Sequence, residues 1–592
     1  MNKFGYTLLL TVSFLAFNSC SNFTKNDSQE TSQTEVSIPA NSYGTYLAGR
    51  IAHYRQDFDT AAEYYMRTAQ KDSHNASLLN KTYLMLASQG RIDEAAHFAE
   101  LAVTQGDKNE FIPVILAAHR LKHNNYQEAI QIVQKNKSPL YKKLISPFIE
   151  AWAYTGLNDY KKAIAALEPI KKDEGMISLY HFHSGMINDY FNITDKATQH
   201  YSSIINDSNM ELSVRTLEVI CNFNLRHNNK EKALALSEKY ALMTPPVDLL
   251  QKIHRRIVSA DEKTATPMIT SPQFGLAEAF FNIAAIVKHN SEVLDFSHIF
   301  IRLAIYENPD NDLARILLAN ILEMREMYKD ANAIYDEIQA SSPAYYIAQY
   351  KKAQNLRNMQ DYKGAELLLK SLTIDYPHDY QTLLDLGDTL RLQEKYKEAL
   401  KYYNQALEKH HAVTEGIWQV YYALGVTYEH LNNWPKAEEY FKKALELNPS
   451  NLLVLNYLGY SWLEQGKNTN QAIEYIAEAY QQAPYNASVI DSLGWAFYLI
   501  GKYDEAITYL EKAAETDPAN AVINNHLGDA YWQGGRKNEA RFQWNHVLSL
   551  KDDSGEINKQ QIKQKISNGL PEPKIIEYQQ ENFDKLLSKI NN

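Results

Sequence analysis

Apolar residues along this chain recur three and four positions apart in short runs, and the runs themselves repeat every 34 residues. In the stretch Tyr503 to Pro518, Ala506, Leu510 and Ala513 share one helical face while Asp504, Glu505, Glu511 and Lys512 fall elsewhere. That spacing predicts an amphipathic helix. The register is kept by a small residue at Ala61, Ala95, Ala129, Ala163, Ala197, Ala233, Ser297, Ala331, Ala365, Ala399, Ala437, Ala472, Ala506 and Ala540. Twelve positions before most of these anchors stands a second small residue: Gly49, Ala117, Ala151, Gly185, Cys221, Ala285, Ala319, Ala353, Gly387, Gly425, Gly494 and Gly528. Gly459 fits after a shift of one position, and only Tyr83 is bulky. Small residues on two facing helices let the backbones approach closely, so each pair predicts the crossing point of a helical hairpin.

Four residues after the anchor a large apolar side chain is common (Tyr65, Leu167, Tyr201, Tyr335, Tyr403, Phe441, Leu510, Trp544). Twelve after it, Pro245, Pro309, Pro343, Pro377, Pro449, Pro484 and Pro518 end half of the units. Proline cannot donate within a helix and so marks the handover to the next hairpin. This pattern, plainest from Ser492 to Pro518, resembles the tetratricopeptide repeat (TPR) family over most of residues 43–550. The resemblance implies an all-α fold, a right-handed superhelical solenoid of about 14 hairpins in two arrays. The arrays are expected at 43–243 and 273–550, joined by an irregular stretch at 244–272 rich in proline. Residues 248–259 within it retain the length of one helix, as in a decayed unit. From 551 to 592, Ile557, Ile562 and Ile566 predict a helix capping the last hairpin, followed by a break at "GLPEPK" and a tail.

A solenoid buries each hairpin on its neighbours and needs no single large core. The 45% hydrophobic content suits many half-buried helix faces. A formal charge of −11 with no basic run argues against a nucleic-acid groove. Cys221 sits at a small-residue position and is expected to be a packing residue, so the two cysteines report nothing about redox compartment.

The amino terminus is informative about location. Lys3 precedes an apolar stretch from Phe4 to Phe17, too short to span a membrane and of the length of a secretory signal. Ser19 followed by Cys20 resembles a bacterial lipoprotein signal, although Phe17 and Asn18 stand where that signal favours leucine and a small residue. Ordinary cleavage is the alternative, but no small-x-small site precedes Cys20. The resemblance implies a signal peptide over 1–19, acylation of Cys20 and a disordered tether over 20–42. Ser21, in place of aspartate, implies the outer membrane of a Gram-negative bacterium, with the repeats on the periplasmic side.

No catalytic or metal motif stands out: there is no zinc-protease helix, phosphate loop, paired CxxC or nucleophile elbow. His181 with His183, and His410 with His411, lack a clustered third ligand. Glu438 and Glu439 fall at solvent-facing helical positions. No cofactor, metal or small-molecule substrate is expected. A repeat stack instead offers a concave face lined by the first helix of each hairpin. Counting from the small residue, that face should carry Asn456, Tyr460, Asp491, Trp495, Asn525, Asp529 and, one turn on, Trp532. Amides can pair with the backbone of an extended segment and aromatics anchor it. Equally, Trp495 and Trp532 could fill the junction between hairpins. The lysines and arginines that grip acidic chaperone tails in some repeat domains are missing from these positions.

The plan of signal, tether and repeats is similar to proteobacterial outer-membrane TPR lipoproteins, one of which is described as presenting cell-wall hydrolases to a carboxyl-terminal processing protease. The resemblance therefore implies a non-enzymatic scaffold or adaptor for periplasmic protein partners. The alternative is an assembly or docking lipoprotein of an envelope export or polysaccharide system. An enzyme with a site hidden between the arrays is the least favoured reading.

Overall fold

The structure, a computed structural model, describes residues 42–55, 57–136, 138–207, 212–241, 254–260, 265–287, 294–377, 379–409, 416–550 and 557–591. Cys20, the signal peptide, nearly all of the tether, and His410 and His411 lie outside the described residues. Among the described residues there are helices and turns but no strand.

Two compact units divide at Leu368 and Leu369. The first opens with six antiparallel pairs. They are α1 (Ser42–Tyr54) with α2 (Phe58–Lys71), α3 (Ala76–Ser88) with α4 (Ile92–Thr104), and α5 (Phe111–Lys122) with α6 (Tyr126–Lys135). After a short α7 (Pro139–Leu144) come α8 (Ser146–Gly156) with α9 (Tyr160–Lys171), α10 (Ile177–Tyr190) with α11 (Thr194–Ile205), and α12 (Val214–Arg226) with α13 (Lys230–Ala241). Helix α14, described over residues 254–259, rests on α13: Ser237 Oγ lies 2.8 Å from His254 Nδ1, and Lys230 donates to the Val258 and Ala260 carbonyls. Then follow α15 (Pro272–Val287) with α16 (Leu294–Glu307) and α17 (Asp312–Glu323) with α18 (Tyr328–Asp336). Helix α19 (Tyr345–Asn358) precedes α20 (Tyr362–Asp375), within which the division falls.

All fourteen anchors are fully buried, at 0% exposure. The partner of the small residue on the first helix is most often the large side chain one turn beyond the anchor. A Cβ on Gly185 would lie 2.6 Å from the Tyr201 ring, one on Gly387 2.4 Å from Tyr403, one on Gly425 2.5 Å from Phe441, and one on Gly528 2.5 Å from Trp544. The missing side chain is thus the seat of an aromatic ring. Direct contact between the two small positions occurs where that ring is absent. Cys221 Sγ bonds the Ala233 carbonyl, and a Cβ on Gly459 would meet the Ala472 carbonyl at 2.8 Å. Cys221 is buried, as its position predicts.

A second repeating element closes twelve of the hairpins. Gly90, Asn124, Asn158, Asn192, Asn228, Glu326, Gln360, Glu394, Asn432, Gly466, Gly501 and Gly535 all have positive φ at the turn from first to second helix. The turn ends the helix by a backward pair of bonds, as in Gly90 N–H to Ala87 O and Arg91 N–H to Leu86 O. Asparagine and glycine tolerate this left-handed geometry, whereas glutamate is strained there.

In the first unit, hairpin α15–α16 does not simply extend the stack. It lies against the first helices α3, α5, α8 and α10. Arg302 and Gln273 donate to the terminal carbonyls Ser88 O and Leu121 O, each at 3.0 Å, and Lys122 reaches back to Tyr306 O at 2.6 Å. Phe111 packs on Phe296 with ring centres 4.5 Å apart, and Trp152 leaves no room for a Cβ on Gly275. A buried bidentate pair joins Arg215 of α12 to Glu278 of α15 at 2.6 to 3.1 Å. The compact unit therefore runs on through the proline-rich stretch, and the inner face of its first hairpins is filled by the chain itself.

Glu394 is exposed with φ of 60°. Glu394→Gly should stabilise the protein by about 1 kcal/mol by relieving the left-handed strain, net of glycine's extra entropy in the unfolded chain. Chemical denaturation at unchanged m-value would measure it; no gain would mean the turn geometry is not αL in solution.

Candidate functional site

The second unit stacks α21 (Tyr380–Leu392) with α22 (Tyr396–Lys409), α23 (Ile417–His430) with α24 (Trp434–Leu447), and α25 (Leu452–Glu464) with α26 (Thr469–Gln482). The last two pairs are α27 (Ala487–Leu499) with α28 (Tyr503–Thr516), and α29 (Ala521–Gln533) with α30 (Lys537–Ser549). Successive first helices touch one another, α25 with α27 and α27 with α29, so they form the tightly curved inner side. Four of the five first helices begin on Asx caps (Asp379, Asn451, Asn486 and Asn520); the Asn486 and Asn520 side-chain oxygens, for instance, accept from Val489 N–H and Ile523 N–H. These caps fix the rotation that sets the face.

The seven residues expected on that face fall into three groups. Asn456 and Tyr460 on α25 are half-buried. Asp491 and Trp495, both on α27, contact neighbouring hairpins: the Trp495 ring stacks on Tyr498 of its own helix at 4.5 Å and on His526 of α29 at 4.1 Å, and its Nε1 donates to Glu464 of α25 at 2.6 Å. Asp491 accepts from His526 Nδ1 at 3.0 Å, both residues being buried. Trp495 thus lines the face and also ties α25, α27 and α29 together.

The third group is covered by the chain's own carboxyl terminus. Helix α31 (Lys559–Asn568) packs on α30, with Ile562 buried, and caps the stack. Its Lys565 donates to Asn525 Oδ1 at 2.9 Å and to both oxygens of Asp529 at 2.8 and 2.7 Å. Trp544 Nε1 also donates to Asp529. Beyond Gly569, whose φ of +76° turns the chain beside the Trp532 ring, the backbone runs extended. Trp532 Nε1 donates to Leu570 O at 3.0 Å and Gln533 Nε2 to Pro571 O at 2.7 Å. Ile576 N–H then bonds Leu499 O at 2.9 Å. Finally α32 (Gln580–Asn591) touches α26, burying Phe583 against Phe497 with Lys502 over its ring. Position counting along single repeats could not find this cover. Its signal was the apolar series Ile575, Ile576, Phe583 and Leu586 beyond a proline break.

Burial pulls the His526 imidazole down, but Asp491, Asp529 and Glu464 outweigh it and raise it above its ordinary value. Burial also raises Asp529 despite Lys565. Elsewhere, the adjacent histidines diverge: His183 is buried, accepts from Trp152 Nε1 and is pushed down to about 3, whereas His181 faces His200 at 3.0 Å.

Models of the tetratricopeptide repeat match residues 378–450, 420–487 and 494–535. The chain therefore carries TPR repeats, and its all-helical hairpins stack as a TPR solenoid. Among solved structures, similarity extends to the Cut9–Hcn1 hetero-tetramer of the APC/C (14% identity, 90% of this chain and 97% of that one, TM-score 0.39). It extends also to yeast Tom70 (13% identity, 89% and 95%, TM-score 0.33). A UDP-N-acetylglucosamine–peptide N-acetylglucosaminyltransferase of Giardia intestinalis is 30% identical over 125 residues. That match spans 21% of this chain but only 8% of the enzyme, too little to bring its activity here.

Two measurements test the geometry. Trp495→Ala should lower stability by about 1–3 kcal/mol with helicity retained, because the ring bridges three hairpins; an unchanged melting temperature would make it a face residue only. The raised His526 contributes stability that is present below the ordinary histidine value of 6.5 and is lost as pH rises through its higher folded value. Melting of the wild type should therefore fall between mildly acidic and alkaline pH, and His526→Gln should flatten that slope.

Proposed function

We propose that this protein is a non-enzymatic scaffold that presents its repeat face to periplasmic protein partners while several acyl chains on the Cys20 terminus hold it at the outer membrane. TPR repeats indicate protein binding as such. The observation that carries the reading further is the occupancy of the α27–α29 face. Trp532 and Gln533 grip main-chain carbonyls of an extended segment, a mode that reads backbone rather than side-chain identity. A partner segment would engage the same kind of contact, continuing toward Asn456 and Tyr460 or displacing residues 569–578. An adaptor that brings cell-wall hydrolases to a processing protease is the preferred form of this function. Docking within an envelope export or polysaccharide system is the second form, favoured instead if the gene's neighbours encode transport proteins.

Cys20→Ala should remove the protein from the outer-membrane fraction and abolish incorporation of labelled fatty acid. Unchanged fractionation would refute the anchor. Cross-linking in intact cells should recover the same periplasmic proteins with the wild type and fewer with Trp532→Ala; recovery of abundant bystanders alone would sink the scaffold reading.

A further inference from the structure

A cluster of metal-binding side chains lies in the first unit. His119 occupies the last turn of α5 and His123 its C-cap, so the two imidazoles stand one helical turn apart on the same side. Their ring centres are 4.6 Å apart. Asp93, in the first turn of α4, places Oδ1 3.5 Å from His119 Nε2. One ligand atom from each of the three residues lies within 4.8 Å of the others. Two imidazole nitrogens and one carboxylate, with a direction left open to solvent, are the donor set of a zinc-class ion.

The surroundings orient these donors. His123 Nδ1 lies 2.9 Å from the His119 carbonyl, which can only accept, so the proton sits on Nδ1 and the Nε2 lone pair is free. The Tyr306 hydroxyl of α16 donates to Asp93 Oδ1, the same oxygen that faces His119, and holds the carboxylate in place. Such outer contacts steer ligands in metal sites. One contact must yield. Arg120 Nη1 lies 2.9 Å from His119 Nδ1 and donates to it, which places the His119 proton on Nε2, toward Asp93. An ion taking Nε2 sends that proton to Nδ1, and Arg120 then turns away to its remaining partners Glu100 and Glu128.

We propose that Asp93, His119 and His123 form a binding site for a late first-row divalent ion of the zinc class, completed by solvent, that clamps α4 to α5 beneath Tyr306 of α16. The clamp would tie two neighbouring hairpins to the hairpin that fills their inner face, so its effect is on the stability of the first unit. It is independent of the partner reading above.

The test uses the full chain without a histidine tag, stripped with chelator and titrated with Zn2+ by calorimetry and with Co2+ by visible absorption. One ion per chain, tetrahedral Co2+ bands and a raised melting temperature are expected. The His119→Ala/His123→Ala double variant should lose more than about 100-fold in affinity, and Tyr306→Phe about 10-fold. Asp93→Asn, which keeps the shape of the side chain, should weaken binding while circular dichroism stays unchanged. Equal affinity and equal bands in the double variant would place the ion elsewhere and overturn the proposal, as would no saturable binding to the wild type.

Discussion

Every hairpin but α3–α4, where Tyr83 stands at the crossing, depends on one steric condition: a first helix must keep a small residue where the second helix presses closest. The fully buried anchors and the glycines facing Tyr201, Tyr403, Phe441 and Trp544 meet that condition in different chemical forms. Close-packed interiors tolerate neither a void nor an extra methyl group, so ring size and small-residue size are set together. Where the ring is missing, the backbone itself moves in, as at Gly459 and the Ala472 carbonyl. Each hairpin thus solves the same packing problem locally, and the stack grows by repetition.

Repetition leaves two kinds of unfinished surface, the inner face and the ends, and this chain covers both with parts of itself. In the first unit the inner face receives α15–α16 through helix-end caps, aromatic contacts and the Arg215–Glu278 pair. In the second unit α31 closes the end, and the backbone after Gly569 lies along the side chains of α27 and α29. The buried carboxylate of Asp529 shows why the cover is specific. Without the Lys565 ammonium at 2.7 Å it would be a buried acid lacking its cation.

What could be read from residues alone follows the same division. The hairpins were legible because each one is specified by contacts within some 34 residues: small anchor, ring, helix stop. Cys221 fell into place for that reason. The left-handed turn was just as periodic, but glutamate and glutamine at three of its positions disguise it. The seven face residues were placed on the correct helices, and their partners were not, since His526 and Lys565 come from the following helix and the cap. Asp93 with His119 and His123 escaped notice for a related reason: one ligand is contributed by a neighbouring hairpin, and a search along the chain sees only an isolated HxxxH.

The hairpin inside the first unit carries a consequence for how the molecule is made. Ser88 and Leu121 wait for partners at Arg302 and Gln273, more than 150 positions downstream. During synthesis from the amino terminus, six hairpins emerge and pair locally while Phe111 and Trp152 still lack their cover. Local pairing is fast and closure across such a span is slow. For that interval the growing chain exposes an apolar trough, a stage at which a holding chaperone has something to hold.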